Sequence, residues 1–286
     1  MQSEWQPIEP PPEIPNFYFG TIGYDFEGWG GRFYPPDASM PRKLEFYQRY
    51  FSFLELNHTF EEEPDIALFS ELERNSTETI QYAVKVHRSI SHVRLPDVGS
   101  AVKLMKKHIH AVSPLVETGR FYSFLIQLDE NTPRTQLRLD YLLAVAGEGI
   151  SKKLDVHVEF RHISWHIEHV LQSLRDSGVG ICNCEIPAGS AFPLKAYATS
   201  NKGYMRYHGL NSRNWRKGKP ERHDYSYTEG EIESRVQGQI QLSRKVSATA
   251  VVYTNVLRCQ AIANAIQNMR QLKQAFELSQ MTRDGR

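Results

Sequence analysis

His157-Val158-Glu159-Phe160-Arg161-His162 sets an imidazole, a carboxylate and a guanidinium at alternate positions of an otherwise apolar run. Side chains alternate faces along a strand. Val156, Val158 and Phe160 therefore share one face, and His157, Glu159 and Arg161 the other. A strand with one apolar face and one acid–base face describes a reaction site or an ion-binding cavity. Similar polar endings recur in Phe53-Leu54-Glu55-Leu56-Asn57, Tyr82-Ala83-Val84-Lys85-Val86 and Phe124-Leu125-Ile126-Gln127-Leu128. They recur again in Tyr204-Met205-Arg206-Tyr207-His208 and Val251-Val252-Tyr253-Thr254-Asn255.

By alternation, Glu55, Asn57, Lys85, Gln127, Glu159, Arg161, Arg206, His208 and Asn255 all face inward, and Asp25 and Asp129 can join from adjoining loops. Several charges in one enclosed space are costly unless paired or occupied. Arg161, Arg206 and Lys85 are suited to hold a phosphate or carboxylate. Glu159 and His208 are candidates to move protons, with Glu55 as a second carboxylate. Asn57, Gln127 and Asn255 would orient the substrate. The plainer alternative is a buried ion-pair layer, with Glu159 on Arg206 and Glu55 on Lys85. A metal site would draw on Glu55, Glu159 and His208, with His162 or His92. No His-Glu-x-x-His occurs, the His108-x-His110 pair falls in a helical pattern away from the strand ends, and the cations would compete with a metal.

The elements that must position these groups alternate regularly. Strand-like runs and helical spacings succeed each other about eight times between Phe17 and Phe276. This predicts a (β/α)₈ TIM-like barrel in a single domain spanning 17–277, with catalytic groups at the C-terminal strand ends. One crossover, Glu185 to Ser200, shows no helical pattern and is expected to be irregular. The rival, a doubly wound open sheet, lacks a Gly-x-Gly-x-x-Gly after the first strand. Residues 1–16 hold five prolines and read as an extended flexible tail, and 278–286 as a polar tail. Ser164 is expected to cap the helix after the fifth strand. Thr228-Glu229-Gly230-Glu231 resembles a capping box.

A loop after the seventh strand carries Arg213, Trp215, Arg216, Lys217, Lys219, Arg222 and Tyr225. Barrel loops at that position often bind phosphate. Basic residues interleaved with aromatics also suit single-stranded nucleic acid. A solvated loop is the simpler reading. The net charge of +1 indicates no bulk attraction to a polyanion. Three cysteines in 286 residues make no disulfide framework, and Cys182-x-Cys184 reads as two same-face strand cysteines rather than a metal site. No apolar run spans a bilayer and no signal peptide is evident, so a cytoplasmic location is expected. No obligate protein partner is evident.

The motifs Gly20-Thr21-Ile22-Gly23-Tyr24-Asp25-Phe26 and Trp29-Gly30-Gly31-Arg32-Phe33-Tyr34-Pro35 resemble the opening of the YecE-like family, domain of unknown function 72. Further matches follow in order: Leu54-Glu55-Leu56-Asn57-His58-Thr59-Phe60, Ala83-Val84-Lys85, Ser91-His92, Gln127-Leu128 and Val158-Glu159-Phe160-Arg161-His162. Ser164-Trp165, Arg206-Tyr207-His208-Gly209, Asp224-Tyr225, and Asn255 with Ala263-Asn264-Ala265 complete the set. The resemblance implies a TIM barrel with a strand-end pocket and carries no settled reaction. Ile22, Tyr24 and Asp25 stand where the family usually has Ser, Trp and Ser. Glu61 stands for a Tyr, Asp129-Glu130 for prolines and Thr254 for an Asn, which points to a different ligand at the first two strand ends. The resulting expectation is an enzyme acting on an anionic substrate, by phosphoester hydrolysis ahead of sugar-phosphate isomerisation. The alternative is a non-catalytic protein that binds a small anion or single-stranded nucleic acid.

Overall fold

Short runs rich in Val, Ile, Phe and Tyr satisfy their backbone groups by pairing side by side. The computed structural model describes residues 6–94, 96–187, 196–215 and 221–284. Its strands are β1 (Phe17–Ile22), β2 (Phe53–Leu56), β3 (Gln81–Lys85), β4 (Phe121–Gln127), β5 (Val156–Glu159), β6 (Gly180–Glu185), β7 (Lys202–Tyr207) and β8 (Ala248–Tyr253). They run parallel in sequence order and close into a barrel when β8 pairs with β1, from Phe17↔Thr249 to Thr21↔Tyr253. The architecture is a TIM-like α/β barrel, as the alternating pattern predicts.

The helices are α1 (Met40–Tyr47), α2 (Ile66–Arg74), α3 (Arg88–Ser91), α4 (Val98–Ala111), α5 (Ser113–Glu117), α6 (Gln136–Ile150), α7 (Glu168–Asp176), α8 (Glu229–Ser243) and α9 (Gln260–Asp284). The break between α4 and α5 falls at Val112, where Pro114 lacks the N–H that a continuous helix needs. The capping box at Thr228 and Glu231 is present, with both reciprocal bonds made. Among the described residues, no helix is long and apolar enough to cross a membrane.

The structure corrects several expectations. Ser164 does not cap α7, whose N-cap is Ile167. It lies instead in a 3-10 turn, Ile163–Trp165, where His162 accepts the Ser164 N–H. That turn buries Trp165, which stacks on Phe160 at 4.6 Å and donates to the Thr132 carbonyl. The last helix runs to Asp284, past the start of the expected polar tail, because no breaker interrupts it. Residues 6–16 form no helix or strand, yet Ile14 is buried and Tyr50 donates to the Ile8 carbonyl. The β6–β7 crossover holds no helix in its described part, and residues 188–195 lie outside the described residues.

The barrel interior is sealed below the strand ends by aromatic rings. Phe53 meets Tyr122 at 5.2 Å and Tyr204 at 5.7 Å, and Tyr122 meets Tyr204 edge-on at 6.1 Å. Tyr122 reaches this position at a register shift between β3 and β4 and donates to the Gly203 carbonyl across the barrel. Phe53 is held beside β1 by Tyr47, whose hydroxyl donates to the Phe53 carbonyl and accepts the Thr21 N–H.

Gly20 packs against this junction. A Cβ there would lie 1.9 Å from the Phe53 carbonyl oxygen and 2.9 Å from the Tyr47 hydroxyl. Gly20→Ala must separate β1 from β2 and is expected to cost ~1–3 kcal/mol in urea unfolding. An unchanged midpoint would show that the junction is looser than this packing implies.

Candidate functional site

Glu55, at the end of β2, and Glu159, at the end of β5, are both fully buried. Two carboxylates inside a barrel need cations, and Arg206 on β7 reaches both. Its Nη2 donates to Glu55 Oε1 at 2.9 Å, and its Nη1 donates to Glu159 Oε2. Tyr204 below adds a bond from its hydroxyl to Glu55 Oε2 at 2.7 Å. The second cation, Arg161, follows β5, and its Nε donates to Glu159 Oε1 at 2.6 Å. Its Nη2 donates to Gln127 Oε1 at 3.0 Å. The expected Glu159–Arg206 pair is therefore made, but the partner of Glu55 is Arg206 rather than Lys85. Arg206 lies at the level of both carboxylates, and its guanidinium spans the barrel between them.

Burial alone would raise the Glu159 carboxyl, but Arg206 and Arg161 outweigh it and hold Glu159 well below the usual carboxylate range. Burial would lower Arg206, but Glu159 and Glu55 hold it protonated. Burial and Arg161 push His208 well below the ordinary histidine value, so it is neutral. Its Nε2 faces Arg161 at 3.3 Å and Arg206 at 3.4 Å, groups that only donate, ahead of Glu159 Oε1 at 3.5 Å. Its proton is therefore assigned to Nδ1, which donates to Thr254 Oγ1 at 2.8 Å.

Above this layer lies a cavity of about 230 Å³. Its wall includes Asn57, Lys85, Gln127, Arg161, Arg206 and His208 from the predicted set. Glu55 and Glu159 stand behind the wall rather than on it. Asn255 is a correction. It points outward from the barrel, donating to the Tyr225 carbonyl at 2.7 Å and to Asn264 Oδ1 at 2.8 Å. The strand reverses the assumed parity here, and Thr254 is the inward residue.

Lys85 is 8% exposed and ends β3. Its ammonium sits 3.6 Å from the centre of the Phe60 ring. A 3-10 turn, His58–Phe60, presents that ring, and Thr59 pins the turn by donating to the Lys85 carbonyl at 2.6 Å. Lys85 has no carboxylate within 4.0 Å among the described residues. Burial first, then Arg206 and Arg161, push its ammonium down to about 7.

Loops close the mouth. Trp215 donates to Glu130 Oε2 at 2.7 Å, tying the loop after β7 to the loop after β4. Arg222 lies 4.2 Å from the Trp215 ring centre and Arg161 5.5 Å from it. Arg222 Nε is buried without a hydrogen-bond partner, and the residue has no carboxylate within 4.0 Å among the described residues. Arg213 is exposed, while Arg216, Lys217 and Lys219 lie outside the described residues. Ile22, His92, Asp129, Glu130 and His223 complete the wall. Sequence alternation missed Phe60, Thr254 and Glu130. Only the motif Asn57-His58-Thr59-Phe60 carried a signal for the first.

The metal reading gains no donor set. Among the described residues, no group of three or more His, Cys, Asp and Glu is placed to hold a metal ion. The carboxylates of Glu55 and Glu159 are engaged by arginine, His162 bonds Ser164, and His92 Nε2 lies 4.0 Å from Asp129 Oδ2. Cys182 and Cys184 lie on one face. Cys182 contacts Glu159, Cys184 contacts the Phe160 carbonyl, and burial pushes both thiols up.

Fold and site together define a parallel α/β barrel with a charged pocket at the C-terminal strand ends. The family model "Protein of unknown function DUF72" matches residues 18–285, and the chain belongs to that family. It is 22% identical to the UPF0759 protein YunF of Bacillus subtilis (strain 168) over 245 residues, 80% of this chain and 86% of that one. Among solved structures it is similar to a DUF72 family protein (TM1631) from Thermotoga maritima MSB8, with TM-score 0.79 and 28% identity. That match covers 91% of this chain and 99% of the other. A DUF72 family protein (EF0366) from Enterococcus faecalis V583 aligns with TM-score 0.73 at 19% identity, over 90% and 95% of the two chains, and shows the fold alone.

Removing Arg206 would leave Glu55 without a cation and Glu159 with Arg161 alone. Arg206→Met is expected to lose ~3–5 kcal/mol in urea unfolding. Glu159 titrates lower in the folded than in the unfolded chain, so its stabilising contribution is complete above about pH 4.3 and is lost as pH falls. Glu159→Gln should therefore be less stable than wild type at neutrality, with the gap narrowing in acid. A gap that stays constant with pH would remove the charge from this account.

Proposed function

We propose that the cavity is the active site of an enzyme that binds a small phosphate- or carboxylate-bearing metabolite. Arg161 and Arg222 hold the anion, and Lys85 exchanges a proton with the substrate near neutrality. One observation carries this reading: Lys85 and Arg222 both line the cavity with no carboxylate within 4.0 Å among the described residues. A buried cation such as Lys85 is costly without a counter-ion, and an anion bound between it and the half-buried Arg222 would supply the missing charge. The volume of about 230 Å³ lies below the ~300–1,000 Å³ of drug-sized sites and fits a small metabolite. Asn57 Oδ1, buried on the wall without a partner, would accept from a ligand hydroxyl.

The chemistry favours proton transfer of the isomerase type over phosphoester hydrolysis. A general base works best with a pKa near the operating pH. Glu159 is held ionised by two arginines, and both nitrogens of His208 are engaged by neighbours. Lys85 is a cavity-wall group whose titration falls near neutrality. Glu55 and Glu159 then act as fixed counter-charges that position Arg206 and Arg161.

Sulfate is a suitable probe because its charge is constant across the relevant pH range. It should raise the melting temperature of the wild-type protein, and the increase should shrink as pH climbs through neutrality and Lys85 loses its proton. Lys85→Met should weaken sulfate binding by about ten-fold or more, roughly the worth of one charge-assisted contact. It should also make the ligand-free protein more stable. The folded ammonium titrates lower than the unfolded one, so its penalty is full below about 7 and fades as pH rises. A melting temperature indifferent to sulfate would overturn the anion site.

A further inference from the structure

We propose that Lys85 is an imine-forming lysine, whose side-chain nitrogen condenses with the carbonyl of a small keto or aldehyde substrate anchored by its anionic group. This rests on the anion-binding reading of the same cavity and adds a covalent step to it. Three features of the geometry carry it. The nitrogen lies on the cavity wall at a strand end, so it faces a bound substrate. No carboxylate lies within 4.0 Å among the described residues to hold it as an ion pair. The Phe60 ring at 3.6 Å, fixed by the Thr59 bond, replaces water on one side of the nitrogen. A desolvated amine near other cations is a recognised arrangement for activating lysine as a nucleophile. The low titration of Lys85 agrees with that placement.

The step balances without an oxidant or reductant. The ammonium first gives up a proton. The freed lone pair then forms a C–N bond to the carbonyl carbon. The carbonyl oxygen collects two protons and leaves as water. The nitrogen keeps one hydrogen and becomes a protonated imine. Overall, one ammonium and one carbonyl give one protonated imine and one water, and water reverses the step. The positive imine draws electrons from the adjacent carbon and acidifies its C–H bond. Arg161 and Arg222 would fix the substrate's anionic end, setting which carbon reaches Lys85.

The full chain is incubated at neutral pH with pyruvate and, separately, with dihydroxyacetone phosphate, in the presence of cyanoborohydride. Peptides are then mapped by mass spectrometry. The expected result is reductive modification of Lys85 about ten- to a hundred-fold faster than of surface lysines, which are almost wholly protonated at pH 7. Excess sulfate should suppress the modification. Lys85→Arg keeps the charge but removes the nucleophile, so it should retain sulfate binding and lose the adduct. If sulfate binds the wild type while Lys85 reacts no faster than surface lysines, the imine is overturned and the anion site stands. If Lys85 is modified but sulfate neither binds nor protects, the imine stands and the anion site falls. If neither occurs, both fall. Mapping the wild type decides the matter even where a variant fails to fold.

Discussion

Arg206 bridges Glu55 and Glu159 across the inside of the barrel, and the arrangement of the pocket depends on that bridge. Two carboxylates and a guanidinium in a dry interior are tolerable only if each satisfies the others. Each carboxylate has a second donor, Tyr204 for Glu55 and Arg161 for Glu159. The aromatic rings of Phe53, Tyr122 and Tyr204 lie beneath, and their bulk keeps the ion network at the strand ends. With both acids occupied, no carboxylate within 4.0 Å pairs with Lys85 among the described residues. The rigid paired layer thus leaves Lys85 on a cavity wall that also carries Arg222, Asp129 and Glu130.

This organisation divides the polar residues into two roles. Glu55, Glu159 and Arg206 form a floor held in one geometry. Lys85, Asn57, Gln127, His208 and the outer part of Arg161 face the cavity. His208 links the two, since the arginines fix its Nε2 and Thr254 fixes its Nδ1. Ile22, Asp129 and Glu130 lie on the cavity wall, and Thr254 lies directly behind His208. Tyr24, Asp25 and Glu61 are not on that wall, and Asp25 and Glu61 make ion pairs with Lys43 and Arg88.

The period-two alternation of the strands was enough to place Glu55, Lys85, Glu159, Arg161, Arg206 and His208 inside the barrel. Alternation assigns a face but not a depth, so it could not tell that Glu55 meets Arg206 instead of Lys85. Nor does it fix which parity faces inward: the Tyr253 hydroxyl reaches Asn268 on α9, so regular alternation puts Thr254 inward and Asn255 outward. Phe60, Trp215, Glu130 and Arg222 come from loops, whose path follows from tertiary bonds such as Thr59 to the Lys85 carbonyl and Trp215 to Glu130. Ser164 looked like a helix cap because its residue type suits one. Burial of Trp165 against Phe160 decided the local geometry instead.

The central claim is that the floor leaves Lys85 without a counter-ion. The most direct measurement is an NMR pH titration of the protein labelled with carbon-13 at lysine Cε, with Lys85 assigned by comparison with Lys85→Arg. The account predicts one lysine titrating near neutrality in the ligand-free protein, with its midpoint rising when sulfate is added. A Lys85 signal that titrates with the surface lysines near 10.4, indifferent to sulfate, would contradict it.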